Sequence, residues 1–163
     1  MSPSQRATSS IDCADDESLK TFESALKWFS VSSNTVACIV KKRWPDGIVR
    51  CPVCGGKEIR YLPSREVWEC RMRHPKSQFS VRAGTIFEDS HIPLGLWLAA
   101  IWMLANQGRP SSHEVARRLG ITQKSAWSML RRIKCAWKKA EEKRNSQSDL
   151  SVRDRQSGSL RWE

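Results

Sequence analysis

The stretch from Ile48 to Val81 most constrains the fold of this chain. It reads as short β-type runs, "EIRYL" and "EVWEC" joined by the turn "PSR", followed by "QFSV". Two or three short strands in about 30 residues cannot bury a core of any size, so an external staple is expected. The cysteines offer one. Cys51-Pro-Val-Cys54-Gly-Gly sets two thiols at metal-ligand spacing, and Cys70 follows with fifteen residues between, a distance that a β-hairpin spans and returns. Arg73 stands where a second Cys-x-x-Cys would be completed, and the next residue is His74.

A closed structural zinc site takes four ligands, and Cys3His sets are among the common ones. The sequence therefore predicts structural Zn2+ held by Cys51, Cys54, Cys70 and His74, with the glycines after Cys54 allowing the backbone to turn tightly toward sulfur. The alternative is a surface His74 beside Pro75 and a three-coordinate or empty site. His91 and His113 lie outside the hairpin and are poorer candidates. Glu69 is the only close carboxylate, and strand alternation points it away from Cys70, so a catalytic zinc is not expected. Cys13, Cys38 and Cys135 have no partner at ligand spacing and read as structural or incidental thiols.

The formal charge of +11 over 163 residues is unevenly spread. Residues 1–40 carry a net −2, residues 50–82 a net +5 and residues 109–144 a net +8. Positive charge on two segments is what a surface facing a polyanion would show, although a solvated face remains open on charge alone. No run reaches the roughly 18 apolar residues that cross a bilayer, and the N-terminal residues lack the apolar core of a secretory signal. A cytoplasmic protein is expected, with no membrane partner.

The expected architecture is α+β: a small β zinc ribbon between a helical N-terminal segment and a C-terminal all-α unit. Residues 1–17, Ser-rich and acidic, are expected to be disordered, and residues 18–47 to form a helical lead-in. In that lead-in Phe22, Ala25, Leu26 and Phe29 share one helical face, and Val36, Ile39 and Val40 continue in a second short helix ended by "WPDG". Residues 48–82 make the ribbon. Residues 83–142 are helical, beginning with "LGLWLAAIWMLA", which is apolar almost all round and reads as a helix buried among neighbours. Residues 143–163 are polar and aperiodic, and a loose tail is expected.

The stretch "SSHEVARRLGITQKSAWSMLRRIK" predicts two helices, about Ser112–Leu119 and Thr122–Glu142. Ser111 followed by Glu114 has the form of a capping box, Gly120 suits a tight turn, and Thr122 suits the next N-cap. Ala126, Met129, Leu130 and Ile133 recur at helical spacing as an inner face. This is the order of a helix-turn-helix, whose second helix enters the major groove. Its outer face offers Gln123, Lys124, Trp127, Ser128 and Arg131. Gln123 and Lys124 suit base edges, whereas Arg131, Arg132 and Lys134 suit phosphates. Trp127 could equally pack against the preceding helix, and the whole hairpin could mediate protein contacts instead.

Taken together, "RWPDG", "CPVCGG", "WECRMRHPKSQFSVRAGTIFEDSHIPLGLWLAAIWM" and "GITQKSAWSMLRRI" resemble the N-terminal half of ISXO-like transposases of bacterial insertion sequences, over roughly Leu19 to Ala140. The resemblance implies a zinc ribbon with ligands Cys51, Cys54, Cys70 and His74 and a helix-turn-helix that binds the element's terminal inverted repeats in double-stranded DNA. It also implies a bacterial, nucleoid-associated protein. In that family a DDE-type catalytic domain of RNase H-like fold follows. Only 23 residues follow Ala140 here, too few for such a fold. The expectation is thus a recognition half truncated before its catalytic domain, with no catalytic residues and no enzyme activity of its own. Two other expectations are a split transposase completed in trans by a separate chain, and an interaction module that pairs with full-length transposase and inhibits it.

Overall fold

The computed structural model describes residues 19–157, with side chains through residue 146. Five helices and three strands follow in the order α1 (Phe22–Ser30), α2 (Ser32–Arg43), β1 (Ile59–Leu62), β2 (Val67–Cys70), β3 (Gln78–Phe79), α3 (Leu94–Asn106), α4 (Ser112–Leu119) and α5 (Gln123–Ser157). The expectation of a small α+β chain with a ribbon between helical segments matches this order.

Helix α1 starts where Thr21 and Ser24 cap each other reciprocally, and it buries Phe22, Ala25 and Phe29 along the anticipated face. Helix α2 ends at Arg43 with three basic residues in its last turn, where they complement the helix dipole. Helix α3 is the hub. It buries Trp97, Leu98, Ala99, Ala100, Trp102, Met103 and Leu104 and packs against α1, α2, α4 and α5, which is why its sequence is apolar nearly all round.

The sheet is antiparallel in the order β1-β2-β3, with Tyr61 opposite Trp68 and Trp68 opposite Phe79. Trp68 thus sits at the centre of an aromatic cluster with Trp44, Tyr61 and Phe79, ring centroids 5.1–6.2 Å apart. Trp44, Trp68 and Phe79 are buried. These rings form the aromatic part of the ribbon's interior, and Trp44, at the C-terminal cap of α2, ties it to that helix.

Residues 80–92 join the ribbon to α3 without regular structure, and three arginines hold their carbonyls. Arg43 donates to Val81 (3.0 Å), Arg82 to Ser90 (2.8 Å) and Ile92 (3.0 Å), and Arg132 to Ile86 (3.3 Å) and Glu88 (3.0 Å). Burial pulls the Arg43 and Arg82 guanidiniums below their ordinary range, for Arg43 against an opposing pull from Glu88. The indole N–H of Trp97 donates to Ser90 Oγ at 3.0 Å and fixes the same segment to α3.

Two local expectations need correcting. The box at the start of α4 is half closed: Ser111 accepts from the Glu114 amide, but the Glu114 carboxylate turns along the helix to Arg118 at 3.7 Å. That i, i+4 pair competes directly with the reach back to the cap. The loose tail expected from residue 143 is instead helical as far as Ser157, because α5 does not stop at Glu142. Residues 143–157 contain neither Gly nor Pro, so nothing in them breaks a helix already nucleated by packing. Residues 1–17, Cys13 and the last six residues of the expected tail lie outside the described residues.

Candidate metal centre and basic helical face

The knuckle, the hairpin and the turn after it bring Cys51, Cys54, Cys70 and His74 together. Their ligand atoms all lie within 4.8 Å of one another. Cys54 Sγ is 3.6 Å from Cys70 Sγ, and Cys51 Sγ is 3.4 Å from His74 Nε2. A tetrahedral zinc with Zn–S near 2.3 Å and Zn–N near 2.0 Å has edges of about 3.5–3.8 Å. The donor set and its spacing therefore fit structural Zn2+, and the sequence-derived ligand set is brought together in full.

The surroundings of each ligand also fit a thiolate site. The amide of Val53 donates to Cys51 Sγ and that of Gly56 to Cys54 Sγ, both at 3.4 Å. A Cβ on Gly56 would stand 3.1 Å from Met72 Cγ and 3.2 Å from Cys54 Sγ, so the knuckle needs a glycine there for room. His74 Nδ1 lies 2.7 Å from the Pro75 carbonyl, which fixes the proton on Nδ1 and leaves the Nε2 lone pair for metal. Burial pushes the Cys51 thiol up, but hydrogen bonds from the Cys54 and Val53 amides and from the neighbouring thiols outweigh it, lowering Cys51 to about 7. Burial pushes Cys70 up.

Glu69 is no general base for this centre. It faces away from the thiols, accepts from Arg60 (2.7 Å) and Gln78 (3.3 Å), and those bonds hold its carboxyl below the usual range. Among the described residues, neither His91 nor His113 belongs to the metal cluster. Cys38 is buried and Cys135 exposed, both remote from it in the chain.

The second set of predicted residues lies on α5. Gly120, in the left-handed region at φ 65°, ends α4, and the amides of Gly120 and Ile121 both return to the Ala116 carbonyl. Thr122 then caps α5 by accepting from the Ser125 amide at 3.2 Å. Ala126, Met129, Leu130 and Ile133 are buried as expected, and Val115 and Leu119 of α4 are buried with them. On the other side Gln123, Lys124, Ser128, Arg131, Arg132 and Lys134 are exposed.

Trp127 is 55% exposed rather than buried, and the Arg131 guanidinium lies 5.6 Å from its ring. Gln123 Nε2 donates to Ser112 Oγ at 3.2 Å, joining the first residues of α4 and α5. Sequence reasoning missed this contact, and it missed the roles of Arg43 and Arg82, since a count of charges does not tell a guanidinium bound to carbonyls from a solvated one. Among the described residues, no helix is long and apolar enough to cross a membrane.

Residues 35–72 match the family model described as a transposase zinc-ribbon domain. The match begins within α2 and takes in the knuckle and the β1–β2 hairpin with three of the four ligands; His74 lies two residues beyond it. No curated protein matches the chain, and no solved structure does.

Proposed function

We propose that the chain is a zinc-stabilised, sequence-specific DNA-binding unit of a transposase of the ISXO-like, DDE type, recognising the terminal repeats of its element. Helices α4 and α5 act as a helix-turn-helix. The metal fixes the ribbon's shape and supplies no chemistry to a substrate. In this reading Gln123 and Lys124 meet base edges while Arg131 and Lys134 meet phosphates. Strand cleavage would require carboxylate-held divalent metals, and no part of it is assigned to these residues.

The observation that supports the reading best is the division of α5 into two faces. One buries Ala126, Met129, Leu130 and Ile133 on the side where α5 packs on α4 and α3, and the other leaves a row of polar and cationic side chains exposed from the first turn onward. The transposase zinc-ribbon match at residues 35–72 supports reading that row as facing a polyanion.

The test is a salt-varied binding titration on duplexes carrying the terminal repeats and on scrambled duplexes, with wild type, Gln123→Ala and Lys134→Ala. Wild-type affinity should fall steeply with salt, by about 0.9 in log–log slope per phosphate neutralised. Gln123→Ala should narrow the preference for the repeats by about 1–3 kcal/mol, and Lys134→Ala should weaken both duplexes equally. Affinity indifferent to salt, or equal for repeats and scrambled DNA, overturns the proposal.

A further inference from the structure

The exposed row on α5 stands as a ridge between two grooves. On one side a groove of about 290 Å³ runs between α5 and the segment Asp89–Ile92, with Lys124, Ser128 and Arg132 on its helical wall. On the other side a groove of about 570 Å³ runs between α5 and the turn before α4, where Arg109 faces Lys134 and Lys138. Its floor includes Trp137, 39% exposed, which prolongs the stripe Ala126–Leu130–Ile133 past the point where other elements cover it. Each groove holds one carboxylate, Asp89 in the first and Glu141 in the second, and in each the cations outnumber it.

An α-helix seated in a major groove about 12 Å wide has a phosphate backbone on each side of it. We propose that these two grooves are the seats of the two backbones: one strand passes between His91 and the Lys124–Ser128 wall, the other between Arg109 and the Lys134–Lys138 wall. The ridge from Lys124 to Lys138 is about 21 Å long at 1.5 Å per residue, enough for the first groove to serve the start of the helix and the second its middle. The walls opposite α5 are tied to the helices by hydrogen bonds. Arg132 holds the carbonyls of Ile86 and Glu88, which fixes the His91 segment to α5, and Arg118 donates to Gln107 at 2.7 Å, which fixes the turn carrying Arg109 to α4. His91, Arg109 and Lys138 thereby become contacts to DNA that lie outside the helix-turn-helix face.

This inference rests on the DNA-binding reading, and the experiment separates the two. Phosphate-ethylation interference and salt-varied titration are run on one terminal-repeat duplex with wild type, His91→Ala and the double variant Arg109→Ala/Lys138→Ala; circular dichroism checks that each variant is folded. The double variant should reduce the log–log salt slope by about 2 and abolish interference on one strand only. His91→Ala should weaken interference on the other strand, and neither should change the ratio of repeat to scrambled binding. Wild type without DNA affinity sinks the functional reading itself. Wild type that binds, with salt slope and strand pattern unchanged in the double variant, overturns the two-groove arrangement alone and leaves an acidic protein segment as the occupant of the Trp137 groove.

Discussion

Gly95 on α3 meets the carbonyl of Phe29 at the end of α1 so closely that a Cβ built on the glycine would stand 2.1 Å from that oxygen and 2.9 Å from its carbon. The two helices touch backbone to backbone. A side-chain neighbour could rotate away, but a peptide group that ends a helix cannot. Ala is a better helix former than Gly by about 1 kcal/mol, so in an open helix this substitution would stabilise. Here the collision wins: Gly95→Ala should destabilise the zinc-loaded protein by about 1–3 kcal/mol, read from urea unfolding followed by tryptophan fluorescence. A variant as stable as wild type would mean that α1 and α3 do not approach in this way.

The same Phe29 carbonyl accepts from Thr35 Oγ1 at 2.8 Å, and Thr35 is buried. The hydroxyl satisfies an oxygen left over at the end of α1 and pins the α1–α2 corner. Thr35→Val keeps the volume and removes the donor, which should cost about 1–2 kcal/mol. Thr35→Ser keeps the donor and should recover part of it. Equal losses in both variants would assign the effect to packing rather than to the hydrogen bond.

What the sequence made legible was local. Ligand spacing identified Cys51, Cys54, Cys70 and His74 because a hairpin of that length leaves few other ways to close four donors. Ser111 and Gly120 bounded α4 and Thr122 marked the start of α5 because caps act within one turn. Contacts far apart in sequence were not legible. Nothing in the run of basic residues marks Arg43, Arg82 and Arg132 as partners of carbonyls in residues 80–92, since the acceptors are backbone and leave no pattern. The exposure of Trp127 depended on how α5 rolls against α4, which helical spacing alone left undecided. The length of α5 was missed for a related reason: polar residues without apolar periodicity look like a tail, yet they propagate a helix that packing has begun elsewhere.

Removing one zinc ligand should unfold the ribbon and spare the helices. The interior of β1–β3 holds an aromatic cluster around Trp68, and a ribbon this small should depend on metal binding to close it. Cys70→Ser, or excess chelator on wild type, should abolish the near-ultraviolet dichroism of Trp44 and Trp68 and release about one zinc per chain. The far-ultraviolet helical signal should largely persist, since α1, α3, α4 and α5 pack on one another rather than on the metal. His74→Cys should retain zinc and His74→Ala should bind it much more weakly. If His74→Ala holds zinc as tightly as wild type in a competition titration, the fourth ligand is not His74.

Arg132 and Lys134 lie two residues apart on α5, both exposed and both cationic, yet they differ in what they hold. The Arg132 guanidinium donates to the Ile86 and Glu88 carbonyls, so it joins residues 80–92 to α5. Lys134 faces the Arg109 groove. Exposure tempers the Arg132 contribution, and Arg132→Ala should cost about 1 kcal/mol together with faster amide hydrogen exchange in residues 83–92. Lys134→Ala should leave stability within about 0.5 kcal/mol and exchange unchanged. Arg132→Lys keeps the charge but not the geometry that spans two carbonyls, so it should exchange almost as fast as Arg132→Ala. Restored protection in Arg132→Lys would show that charge near the loop suffices, and the two-carbonyl clamp would have to be given up.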